Sequence, residues 1–128
     1  MTVEINFTSC CPCSKSMSEK NAHNQRSVAR VKIELKDEKI IFEEIKQIVD
    51  KSSSSPIYNT LKRIDEKYVT DYMYDNAKFS EDICREISEN LDKWLDNRIN
   101  DYVVVVENQE SIHQTNAISI MCAGRNLK

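Results

Sequence analysis

The chain has one glycine and two prolines among its 128 residues. Two-residue hairpins and phosphate-cradling loops both depend on glycine's freedom at positive φ, so both are largely excluded. No apolar run approaches the ~20 residues of a membrane span, and the N-terminal segment has no signal-peptide core. Charge of one sign is also missing. Eighteen Lys and Arg against 21 Asp and Glu leave a net charge of -3, with no footprint for nucleic acid or an acidic membrane. Histidine occurs only twice. The five cysteines are an odd number, and three crowd into Cys10, Cys11 and Cys13. That crowding suits metal or thiol chemistry in a reduced, cytoplasmic setting more than a disulfide framework.

With 40% apolar and 30% charged residues, the composition is that of one soluble domain spanning residues 1–128. Such a chain buries roughly two thirds of the surface it exposes when unfolded. Val3–Phe7 reads as a short opening strand. From Val28 to Leu35, Ala29, Val31, Ile33 and Leu35 alternate with Arg30, Lys32 and Glu34, the pattern of a half-buried strand. Ile41, Phe42, Ile45, Ile48 and Val49 then follow helical spacing until the serine run at 52–55 breaks it. The stretch from Ile57 to Asp75 is mixed and reads as loop with a turn or two of helix. Phe79, Ile83, Ile87, Leu91, Trp94 and Leu95 form a clear helical stripe, with Asn76 as its expected N-cap. Tyr102–Val106 and Ala117–Cys122 read as closing strands. The expected fold class is α+β, in the order β-β-α-α-β-β, an antiparallel sheet with two helices on one face.

Both histidines stand in unusual polar motifs. Cys10-Cys11-Pro12-Cys13-Ser14-Lys15 is followed by Ala22-His23-Asn24-Gln25-Arg26, and Glu110-Ser111-Ile112-His113 follows four valines. Cys11 and His23 are too far apart for a local zinc knuckle, so a shared ion has to be assembled by the fold. Thiolate and imidazole suit zinc and other borderline divalent ions, and three protein ligands leave a fourth position for water. The plainer reading makes Cys11 and Cys13 small core residues and His23 a turn cap. Glu110 can accept two parallel hydrogen bonds from a planar N–H pair such as the edge of guanine, or it is a solvated loop residue. Helical geometry puts Glu81 away from the Ile83–Ile87 stripe, on the solvated side. Lys15 and Arg26 are candidate phosphate ligands, or charges that keep the surface wet.

Four blocks in order resemble the C-terminal half of type IB GTP cyclohydrolase. They are Cys11–Lys15 with Ala22–Ser27, then Leu61-Lys62-Arg63 with Asp65–Thr70, then Asp75–Phe79 with Glu81-Asp82, and Val106-Glu107-Asn108 with Glu110–His113. The resemblance implies a tunnelling-fold module, whose element order matches the one above, in a family that pairs modules into barrels with active sites at subunit interfaces. It implies one divalent ion (zinc, iron(II) or manganese) held by Cys11, His23 and Glu66. Glu110 would anchor guanine, with Lys15 and Arg26 toward the phosphates. Cys13 would lie against the reacting carbon, with His113 and Glu81 in proton transfer. The implied reaction converts GTP and water to 7,8-dihydroneopterin triphosphate and formate, the first step toward folate and pterins. Its alternatives are the archaeal cyclic-phosphate product and an inactive or partner-dependent binding module. Family members carry two fused modules, so the partner expected here is a second copy or a second polypeptide supplying the other. Two histidines cannot supply the three-histidine site of the pyruvoyl-tetrahydropterin synthase relatives, and the motif of the queuosine nitrile reductase is not found.

Overall fold

The computed structural model describes residues 1–36 and 39–123. Its elements are β1 (Thr2–Cys10), α1 (Pro12–Met17), β2 (Asn24–Leu35), α2 (Phe42–Ser52), β3 (Ser55–Pro56), α3 (Arg63–Asp75), α4 (Ser80–Asp92), β4 (Ile99–Asn108) and β5 (Ala117–Cys122). The strands form one five-stranded antiparallel sheet in the order β3-β1-β2-β4-β5.

Alternation decides which face is covered. Val3, Ile5 and Phe7 of β1, Ala29, Val31 and Ile33 of β2, and Val104 and Val106 of β4 all point to one side. Ile45 and Val49 of α2 and Ile83, Ile87 and Leu91 of α4 close over them in a single core. Each large side chain so buried contributes about 1.5–3 kcal/mol. The opposite face stays open. There Arg30 bridges Glu4 and Glu107, at 3.5 Å and 3.0 Å, while Ile118 and Ile120 of the edge strand β5 are exposed. None of the described helices is long and apolar enough to cross a membrane.

The order β-β-α-α-β-β survives as the skeleton β1-β2-α2-α4-β4-β5, and Ala117–Cys122 is a strand with the expected bounds. Two helices were not expected. The segment read as mostly loop contains the 13-residue α3, and α1 follows directly on β1. Helix α3 escaped because it buries no residue, and burial is what makes a helical stripe visible. Asn76 is not the N-cap of α4. It ends α3, donating from Nδ2 to the Tyr72 carbonyl at 2.8 Å, and Phe79 caps α4. Ile41, Phe42 and Phe79 are exposed rather than buried, and Leu35 turns outward where the β2–β4 register shifts. In α2, α3 and α4 alike, an N3 carboxylate (Glu44, Asp65 or Asp82) accepts the N-cap amide at 3.0–3.1 Å. The sparing use of glycine shows in the turns: Asp96 takes the positive φ before β4, and eight residues, 109–116, join β4 to β5.

Candidate active site

The site grows from the point where β1 ends and β2 begins. Cys11 is the N-cap of α1 with Pro12 at the first helical position, where a missing N–H costs nothing. Its own N–H donates to the His23 carbonyl at 3.0 Å. Ser14 Oγ donates to the Cys11 carbonyl and accepts from the His23 N–H, both at 3.1 Å. Twelve residues of sequence separation are thereby closed by three hydrogen bonds. The Cys11 sulfur faces the first turn of α1, 3.5 Å from the Ser14 amide nitrogen.

Two recesses meet at Cys11. One, of about 410 Å³, is lined by Cys11, Cys13, Met17, His23, Ile112 and His113. The other, of about 170 Å³, is lined by Cys11, Gln25, Lys78, Glu81, Asn108 and Glu110 among others. Two backbone bonds draw their walls together. The Lys78 amide donates to the Cys10 carbonyl at 3.0 Å and sets the start of α4 beside Cys11. The Gln109 amide donates to the Arg26 carbonyl at 3.0 Å and extends the β2–β4 ladder to Glu110.

Burial sorts the three crowded cysteines. Cys10 is buried, and that burial pushes its thiol pKa up, which keeps it protonated. Cys11 stands in the shared wall, and Cys13 is exposed with its thiol 3.7 Å from Met17 Sδ. Cys84, on the buried face of α4, has its thiol pushed up to about 11 by burial and is a packing residue.

Of the residues expected at the site, Cys11, Cys13, His23 and His113 share the first recess, and Cys11, Glu81 and Glu110 the second. Glu110 is half-buried rather than fully solvated. Glu81 is exposed, as its helical phase demands, yet it reaches the rim. Three expected residues are not brought in. Glu66 is exposed on α3 and lines neither recess, and among the described residues no three His, Cys, Asp or Glu converge on a metal position. The Lys15 ammonium donates to the Tyr74 carbonyl at 2.8 Å and lies 4.3 Å from the Tyr74 ring centroid, so it fastens α1 to the end of α3. Arg26 is exposed, on the opposite face of β2 from Gln25.

Sequence reasoning missed Ser9, Gln25, Ser27 and Asn108, a buried polar group beside His23. Its signal was present. Extended backwards, the alternation of β2 places Ser27 and Gln25 on the inward face, where apolar residues are the rule.

Cys11 and His23 line one recess and carry a thiol and an imidazole, donor types that suit a tetrahedral ion site. They share a wall, and the His23 Nδ1 atom is held by Gln25 Oε1 at 3.0 Å, as ligating histidines commonly are. The third protein donor is not assembled by this chain's described residues.

Comparison with known proteins agrees with the motifs. Residues 1–119 match the family model described as type I GTP cyclohydrolase folE2. A protein of Pseudothermotoga lettingae named GTP cyclohydrolase FolE2 is 46% identical over 117 residues, 91% of this chain and 44% of its own length. Proteins of the same name from Methylococcus capsulatus and Dictyoglomus turgidum are 46% and 45% identical. They are matched over 93% and 95% of this chain and over 43% and 46% of their own lengths. The chain therefore spans less than half the length of the curated relatives it matches.

Proposed function

The chain belongs to the type I GTP cyclohydrolase FolE2 family, and on that premise we propose that it is a tunnelling-fold module of a metal-dependent type IB GTP cyclohydrolase. The reaction would convert GTP and water to 7,8-dihydroneopterin triphosphate and formate. One observation supports the reading: Cys11 lines two recesses, one shared with His23 and His113 and the other with Glu81 and Glu110.

On the Glu110 side, a half-buried carboxylate can accept both N–H groups of a guanine edge, which fixes the base in register. Glu81 at the same rim and His113 in the neighbouring recess are the candidate proton carriers, a role that typically contributes ~10²–10⁴-fold. Cys13 and the exposed Ile112 line the recess that holds His113, and Cys13 would lie against the reacting carbon. Cys11 and His23 would hold a divalent ion, zinc, iron(II) or manganese, with Glu66 as third ligand. Such an ion supplies Lewis acidity and a more acidic water.

The open sheet face and the free edge of β5 support pairing with a second module, from another copy or another polypeptide, into a barrel. Glu66 and Arg26 would then act from a neighbouring module's site. The test is to incubate the purified protein with GTP and each metal, and to follow formate and pterin fluorescence. A metal-loaded, oligomeric protein without turnover would refute a stand-alone enzyme.

A second reading has its own support: among the described residues no third donor joins Cys11 and His23, which favours a partner-dependent module. Turnover that arises only when the complementary half of a relative is co-expressed selects it. Absence of turnover even then leaves neither reading standing.

A further inference from the structure

Four polar side chains, Ser9, Gln25, Ser27 and Asn108, are buried at one end of an otherwise apolar sheet face. Each hydroxyl has one proton to give, so the chain of bonds has a direction. Ser27 Oγ donates to Asn108 Oδ1 at 2.8 Å. Ser27 can then only accept from Ser9, whose hydroxyl lies at 2.9 Å. Ser9 has now used its proton, so it must accept, and Gln25 Nε2 donates to it at 2.7 Å. This turns Gln25 Oε1 toward His23 Nδ1, 3.0 Å away. An amide oxygen cannot donate. The proton of that contact must sit on Nδ1, and the lone pair of the ring is left on Nε2. Ser111 Oγ, 3.3 Å from the same Nδ1, is a hydroxyl that can accept the same N–H.

We propose that Gln25 is a positioning residue that sets the tautomer of His23. The relay Asn108–Ser27–Ser9 sets in turn which end of the Gln25 amide faces the imidazole. The function of this device rests on the reading of His23 as a metal ligand, because an ion needs the bare Nε2. The tautomer itself does not rest on that reading. A relay of opposite polarity, with the Asn108 amide nitrogen toward Ser27, would reverse every donor and put the ring proton on Nε2. The burial of all four side chains is what makes the polarity matter, since a buried group turned the wrong way loses its partner at full desolvation cost.

The direct test is imidazole ¹⁵N–¹H correlation spectroscopy on the metal-free full chain, at a pH where the rings are neutral. The His113→Asn variant assigns His23 by elimination. The expected result is a proton on Nδ1 in the wild type, in Gln25→Glu, whose carboxylate also only accepts, and in Asn108→Asp. Gln25→Leu, and the milder Ser9→Ala in case the former fails to fold, should give a mixture of tautomers. A wild-type proton on Nε2 overturns the proposal. So does an unchanged Nδ1–H tautomer in both releasing variants.

Cobalt(II) titration, read by thiolate charge-transfer absorption, adds an arm that does not need activity. Gln25→Leu and Ser9→Ala should bind cobalt about 10–100-fold more weakly, with Gln25→Glu restoring affinity. A chain that takes up no cobalt yet shows the Nδ1–H tautomer upholds this proposal and removes the metal reading of His23 for the isolated chain.

Discussion

Helices α3 and α4 are each 13 residues long, and each has an N3 aspartate accepting its N-cap amide. Each also carries one of the acids expected at the site, Glu66 on α3 and Glu81 on α4. Their fates differ. Helix α4 buries Ile83, Ile87 and Leu91 along one line and Ser80, Cys84 and Ser88 along the next, small residues that let it lie close on the sheet. Helix α3 buries nothing, and Ile64 is 77% exposed. Similar capping thus starts both helices, but only the one that buries a stripe in the core delivers its expected acid to the recesses at Cys11. A residue's chemistry is available only where packing holds its backbone.

The largest expected effect lies in the core. Ile87→Ala, on the buried face of α4, should lower global stability by about 2–5 kcal/mol in denaturant titration. A cost under 0.5 kcal/mol there would mean that α4 is no better anchored than α3. The metal site comes next. In the isolated chain, Cys11→Ala should weaken cobalt binding roughly 100-fold, whereas Glu66→Ala should change it little. Equal losses would show that α3 does reach the ion without a partner module.

Removing each helix's N3 acid separates the two further. Asp82→Ala should cost about 0.5–1 kcal/mol of global stability. Asp65→Ala should reduce helicity in the far-ultraviolet dichroism while leaving the global transition in place. A matching global loss would tie α3 into the cooperative unit. The smallest effect belongs to Ile64→Ala, expected within ~0.5 kcal/mol of wild type. A larger loss in the assembled protein than in the single chain would identify that exposed face as covered on assembly.

The strands at both ends, and the helices that pack, were legible because burial writes a period into the residues. Ala117–Cys122 came out with the right bounds, and the Ile83–Ile87–Leu91 stripe is the core of α4. Helix α3 was not legible, since it buries no residue fully and only Val69, Met73 and Tyr74 are half-buried along it. The site divides in the same way. Cys11, Cys13, His23, Glu110 and His113 stood out by type and company, and the fold brings them to two adjoining recesses. The buried serines and the glutamine behind His23 were passed over because a polar residue in a strand reads as outward until its phase is followed.

By itself the sequence determined the α+β order and which side chains could hold an ion or move a proton. Those follow from local periodicity and from residue chemistry, which need no partner to be read. Only the tertiary structure decided that Cys11 and His23 are stitched together through Ser14, and that Lys15 is engaged by Tyr74. It alone placed Glu66 outside the group and gave His23 a relay with a direction. These are matters of which groups meet once water is excluded, and that is settled by packing between residues far apart in the chain.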